Sequence, residues 1–145
     1  MELTEEKLGK IEELLSKERK EWSKKIQEII EDIKDPKKLA HAQAYMLSYR
    51  HMMVDKIIEM NTVLSKKQSN DANFKKTRYQ YYKTNYDVRL DYREMQEYIA
   101  SDMALRTRET SLIENQVSYY KQSIETLDRM GFAIKNRVTL ATNDI

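Results

Sequence analysis

Between Lys66 and Lys83 the chain gathers Lys66, Lys67, Lys75, Lys76, Arg78 and Lys83 against a single acid, Asp71. Phe74, Tyr79, Tyr81, Tyr82 and Tyr86 are interleaved with them. Cations neutralise phosphates and release their counterions, while an aromatic face stacks on an unpaired base for about 1–3 kcal/mol without reading sequence. A duplex hides its base faces, so the combination suits single-stranded nucleic acid. The candidate binding residues are Lys66, Lys67, Lys75, Lys76, Arg78 and Lys83 for the backbone, with Phe74, Tyr81 or Tyr82 stacking on bases. The same pattern also fits a packed interface, with the rings in a helix seam and the lysines as its solvated face. Ten tyrosines against two phenylalanines suit wet, amphipathic contacts of either kind.

Catalytic chemistry finds little to stand on. His41 and His51 are ten residues apart, not the three or four that would set two metal ligands on one helical face. Glu5, Glu6, Glu12, Glu13, Glu28 and Glu31 are interleaved with Lys10, Lys17, Lys24, Lys25 and Lys34, the mark of a solvated helix face rather than a cation or acid–base site. The sequence has no phosphate-binding glycine loop, no GxSxG and no HExxH. The expectation is a non-enzymatic protein with no metal and no cofactor. An ATP-driven process would draw its ATPase from a partner.

The elements that must carry these residues are helices. With two glycines and one proline in 145 residues, the chain has little punctuation for the many turns of an all-β fold. Charged residues make up 34% of the chain yet sum to only +2, so total charge gives no argument for a nucleic-acid partner and local clustering must supply one. The absence of cysteine removes disulfides and thiolate chemistry and fits a reducing cytoplasm. The first residues are acidic and polar, and no run approaches the ~18 apolar residues of a membrane span. A soluble, unexported protein without a membrane partner is expected.

Leu8, Ile11, Leu15, Trp22, Ile29 and Ile33 step by threes and fours, with Ile26 and Ile30 widening the stripe and Glu18 as a polar gap in it. This predicts an acidic N-terminal helix within residues 1–35. Asp35 and Pro36 then read as an N-cap followed by proline at the first helical position. Leu39, Ala42, Met46, Tyr49, Met53, Ile57, Met60 and Leu64 continue a second seam, and a helix from Pro36 to about Lys67 would measure about 48 Å. Ser69 to Asn73 either breaks that helix or rides on it, and 36–86 is taken as one unit bearing the basic and aromatic segment. Thr84 to Asp87 suggests a turn. Within 87–145, Val88, Tyr92, Met95 and Ile99 predict a third helix ending near Ser101, and Thr110, Ile113, Val117, Tyr120, Ile124 and Leu127 a fourth, closed by Gly131 as its C′ residue. Phe132 to Leu140 forms an apolar tail. A helix so long needs neighbours along its length, which a hairpin bundle or identical subunits supply. Bundle and subunit contacts are assigned to Met46, Met53, Ile57, Leu64, Ile113, Val117, Ile124 and Leu127.

Two stretches resemble the UvsY family of phage recombination mediators. Lys76-Thr77-Arg78-Tyr79-Gln80-Tyr81-Tyr82 is similar to that family's Lys-Ala-Arg-Leu-Asp-Tyr-Tyr, whose lysine and arginine are associated with single-stranded DNA; Lys76 and Arg78 carry over, while Thr77, Tyr79 and Gln80 depart from it. Gly131-Phe132-Ala133-Ile134-Lys135 resembles the Gly-Phe-Ala-Ile-Lys of the same family, in the region it uses for self-association, which adds Phe132 and Ile134 to the assembly residues. A weaker similarity around Tyr45-Met46-Leu47 extends the match over about Lys38 to Lys135. The resemblance implies an all-α bundle assembling into a homo-oligomeric ring of about six or seven copies. It further implies a mediator in the cytoplasm of an infected host cell that binds single-stranded DNA. Its partners would be a RecA-type phage recombinase and the phage single-strand-binding protein, one replacing the other on the strand. The residues alone leave room for a coiled-coil adaptor with no nucleic acid, and for an RNA-binding helical protein.

Overall fold

The computed structural model describes residues 2–143, and within them the chain is all-α, with three long helices and no strand. Helix α1 is Glu5–Ile33, α2 is Leu39–Gln80 and α3 is Tyr92–Asn143. At 1.5 Å per residue they measure about 43, 63 and 78 Å. Thr4 caps α1 by accepting a hydrogen bond from the Lys7 amide, and Glu5 and Glu6 place negative charge at the positive end of the helix dipole. Asp35 caps a single 3-10 turn, Pro36–Lys38, that leads into α2. One π-helical turn, Tyr81–Asn85, ends the α2 segment.

The helices run up, down and up, so α2 is antiparallel to both neighbours and α1 lies parallel to α3. Trp22, Ile26, Ile29 and Ile33 of α1 close on Ala42, Met46 and Met53 of α2 and on Tyr120, Leu127, Met130 and Ile134 of α3. Trp22 meets Tyr49 edge-on at 5.5 Å. Further along, Leu64 packs on Ile113 and Val117 with Ile57 and Met60 around them. Polar groups in this core are matched across helices. Gln116, fully buried, accepts from Arg19 at 2.6 Å and donates to the Leu15 carbonyl at 3.3 Å. Glu18, the gap in the first seam, faces Lys56 at 3.5 Å and the hydroxyl of the fully buried Tyr120. Burial and that hydrogen bond push the Tyr120 phenol well above its ordinary range.

One open alternative is decided and several sequence expectations are corrected. The Ser69–Asn73 patch does not interrupt α2, because Asp71 is drawn inward between Lys67 and Arg106 at 2.7 and 3.0 Å. The expected third and fourth helices are one: α3 passes through Ser101 and Asp102, and the Asp102 carboxylate is satisfied by Arg78 and Tyr82 of the facing segment. Gly131 is not a C′ residue and lies within α3, with no glycine at positive φ among the described residues. It sits where Met46 comes close enough that a Cβ would meet its terminal carbon at 3.4 Å. The apolar tail is a continuation of α3, and Val88 and Tyr92 do not join the seam of Met95 and Ile99, being exposed in and beside the connecting loop.

Met46, Met53, Leu64, Ile113, Val117, Leu127 and Ile134 are buried within the protomer, and Ile57 and Ile124 pack against the same cores. Of the expected assembly residues only Phe132, 68% exposed, is left open. The long helices obtain most of their cover from one another.

Candidate nucleic-acid interface

Helix α1 begins level with Arg106 and Glu109 of α3, where Leu3 and Ile11 share a surface with those two residues. Beyond that level α2 and α3 continue as a two-helix arm about 20 Å long, joined by the π-turn and the loop at residues 86–91. The basic and aromatic segment is this arm. Its base is an ion cluster: Lys67, only 8% exposed, lies 2.7 Å from Asp71 and 3.3 Å from Glu109, and Arg106 reaches the other oxygen of Asp71 at 3.0 Å. Arg106 also covers the ring of Phe74 at 4.1 Å.

Midway along, Arg78 donates from Nε to Asp102 at 2.9 Å and from its terminal nitrogen to the Tyr82 hydroxyl at 3.2 Å, and that hydroxyl donates to Asp102 at 2.5 Å. The guanidinium stands over the rings of Tyr81 and Tyr82 at 4.6 and 5.1 Å. The hydrogen bonds to Tyr82 and Asp102 hold Arg78 more firmly protonated than usual. Burial, then the Asp102 carboxylate, raises the Tyr82 phenol, with Arg78 pulling the other way. The tip is a small core of its own, Tyr82, Met95 and Ile99 with Tyr79, Tyr86, Leu90 and Met103 around them. Tyr98 stacks on Tyr82 at 5.6 Å.

The candidate binding residues therefore divide. Lys66, Lys75, Lys76 and Lys83 are exposed and, among the described residues, have no carboxylate within ion-pair distance. Lys76, Tyr79 and Lys83 stand at i, i+3 and i+7, one face of the helix, and Lys83 lies 5.8 Å from the Tyr79 ring centre. Tyr81 is partly open, at 38% exposed. Lys67 and Arg78 are committed to carboxylates, Tyr82 is buried, and Phe74 is half-buried under Arg106. What the sequence did not mark is the other half of the arm: Asp102 and Arg106, which answer Arg78 and Asp71 from α3, and the rings of Tyr92 and Tyr98. The partners of Asp102 and Arg106 lie 20 to 35 residues away, beyond any spacing rule for a single helix.

Lys76 and Lys83, with the Tyr79 ring, give one face of the arm the charge that attracts a polyanion, while Lys66 and Lys75 lie on other faces of α2. Among the described residues no three His, Cys, Asp or Glu side chains converge on a metal site, and no helix is long and apolar enough to cross a membrane. No family model, no curated protein and no solved structure matches the chain.

Proposed function

We propose that this chain is a non-enzymatic recombination mediator that binds single-stranded DNA and helps a RecA-type recombinase replace a phage single-strand-binding protein. The observation that carries the reading is the arm. Lys75, Lys76 and Lys83 lie on and beside the segment whose sequence resembles the UvsY motif, beyond the three-helix body where a strand has access, and Lys66 stands at the base of the arm. Lys66, Lys75, Lys76 and Lys83 hold phosphates by simple charge, so binding is indifferent to sequence and sensitive to salt. Arg78, locked on Asp102, sets the shape of the arm first and adds its charge only where a phosphate displaces that carboxylate.

One arm offers few contacts. A closed ring of identical subunits repeats them at high effective concentration, which turns weak local attraction into avidity and lets one strand be organised over several arms. Surfaces open to such assembly include Phe132 on α3 and an outer stripe of α2 in which exposed Leu47 and Ile58 flank half-buried Val54, spaced at i, i+7 and i+11. The same stripe would serve a coiled-coil adaptor that binds no nucleic acid. Fluorescence anisotropy of a labelled single strand of about 40 nucleotides, titrated at two salt concentrations against an equal-length duplex competitor, separates the two. Salt-sensitive binding that resists the duplex supports the mediator; absence of binding at low salt leaves the adaptor.

A further inference from the structure

At the tip of the arm lies a half-enclosed cavity of about 570 Å³. Tyr79 at the end of α2, Lys83 on the π-turn, Tyr86 and Arg89 on the loop and Tyr92 at the start of α3 all line it. Tyr82 and Met95, both buried, close its inner side. The volume falls within the ~300–1,000 Å³ of small-ligand pockets.

The rings around it are not equivalent. Tyr86 is fixed by neighbours, Tyr82 at 5.4 Å and Tyr81 and Tyr98 each at 6.0 Å. Tyr92 has no ring partner among the described residues and is 73% exposed. An aromatic side chain held open beside a concave, tyrosine-lined hollow gains contact only when something flat covers it. Lys83 and Arg89 are exposed at the same site and supply positive charge. Asp87 is also in the lining; it disfavours a second phosphate there but accepts a hydrogen bond from a base N–H.

We propose that this cavity takes one nucleobase splayed out of a single strand, stacked against Tyr92 and Tyr79, with its phosphate between Lys83 and Arg89. The inference rests on the single-strand reading above and relocates base stacking. Tyr82 is buried, Arg78 and Arg106 each cover one face of Tyr81 and Phe74, and Lys83 stands over Tyr79, so Tyr92 at the tip, 73% exposed, is the most open ring of the arm. It also gives the arm a reason to reject duplex, which has no free base to insert.

The test compares anisotropy titrations of the full chain with an oligothymidylate of about 15 nucleotides and with an equal-length abasic strand, which keeps the phosphates and lacks the bases. Wild type should prefer the oligothymidylate by between about 5-fold and about 150-fold for each base engaged. Tyr92→Ala should lose most of that preference while keeping its affinity for the abasic strand, and Tyr92→Phe should retain the preference. Lys76→Ala should weaken both strands alike. Unchanged far-ultraviolet circular dichroism shows that Tyr92→Ala stays folded. Equal wild-type affinity for the two strands, or a Tyr92→Ala loss shared by both, overturns the pocket and leaves single-strand binding standing. Competition by thymidine monophosphate at equal nucleotide concentration would overturn the strand assignment in favour of a free nucleotide. Failure to bind either strand overturns the pocket and the mediator reading together.

Discussion

Replacing Lys67 by methionine separates two adjacent lysines that the sequence treats alike. Lys67 Nζ lies 2.7 Å from Asp71 and 3.3 Å from Glu109 and is 8% exposed, whereas Lys66 is exposed. Methionine keeps most of the apolar stem, so the loss is mainly of charge. Orphaning a fully buried charge by removing its partner costs ~3–5 kcal/mol. Arg106 remains 3.0 Å from Asp71, and Asp71 and Glu109 are 14% and 23% exposed, so water recovers part of the loss. The expected destabilisation is about 2–3 kcal/mol, or a Tm lower by about 4–12 °C for a chain of this size. Lys66→Met should stay within about 0.5 kcal/mol of wild type. Urea unfolding followed by circular dichroism measures both, and strand binding at a temperature where both are folded gives the opposite order: Lys66→Met weaker, Lys67→Met unchanged. A Lys67→Met protein as stable as wild type but weaker in binding would refute the ion cluster and return Lys67 to the phosphates.

Asp102→Asn should free Arg78 for phosphate, tightening single-strand binding at low salt and steepening its salt dependence by about 0.7 per engaged subunit; an unchanged slope would show that Arg78 faces no phosphate. Gly131→Ala should stabilise the protein by about 0.5–1 kcal/mol, since the residue lies inside a helix and only the flexible end of Met46 is near its Cβ; a loss of stability in urea would mean that the helix bends or ends there. The phenols of Tyr82 and Tyr120 are raised by burial and hydrogen bonding above the ordinary value near 10. The folded chain thus holds these protons more tightly than the unfolded one. Their contribution to stability is whole below about pH 10 and is lost as pH rises through the raised folded values; burial also raises the Tyr49 phenol and the neighbouring Tyr98 that of Tyr86, so tyrosinate absorbance should lag for four residues and be completed by unfolding. A single smooth titration of all ten tyrosines without unfolding would contradict their burial.

The seams were legible because they depend only on spacing. Leu39 to Leu64 and Thr110 to Leu127 are buried or half-buried at every expected position, and Asp35 with Pro36 marks the start of the second segment as its chemistry requires. The ends were not legible, because they are decided across helices. Asp102 reads as a polar break until Arg78 and Tyr82 arrive from the facing segment to satisfy it. Gly131 has the composition of a cap and the function of a close contact with Met46, two roles that one residue letter cannot separate. The same holds for the site. Charge and ring content located the arm, but which lysine is open and which is buried depends on Glu109 and Arg106, far away in sequence. The bundle contacts read from the seams lie in the protomer's own core, and a helix stripe does not by itself say whether further cover comes from a second copy.

The central claim is that the open lysines of the arm hold a single strand. The most direct measurement is the slope of log affinity against log salt for single-stranded DNA, wild type beside a Lys76→Gln, Lys83→Gln variant. The account predicts weaker binding to every sequence and a slope shallower by about 1.4 per engaged subunit, with thermal stability unchanged. Equal affinity and equal slope in the two proteins would contradict it.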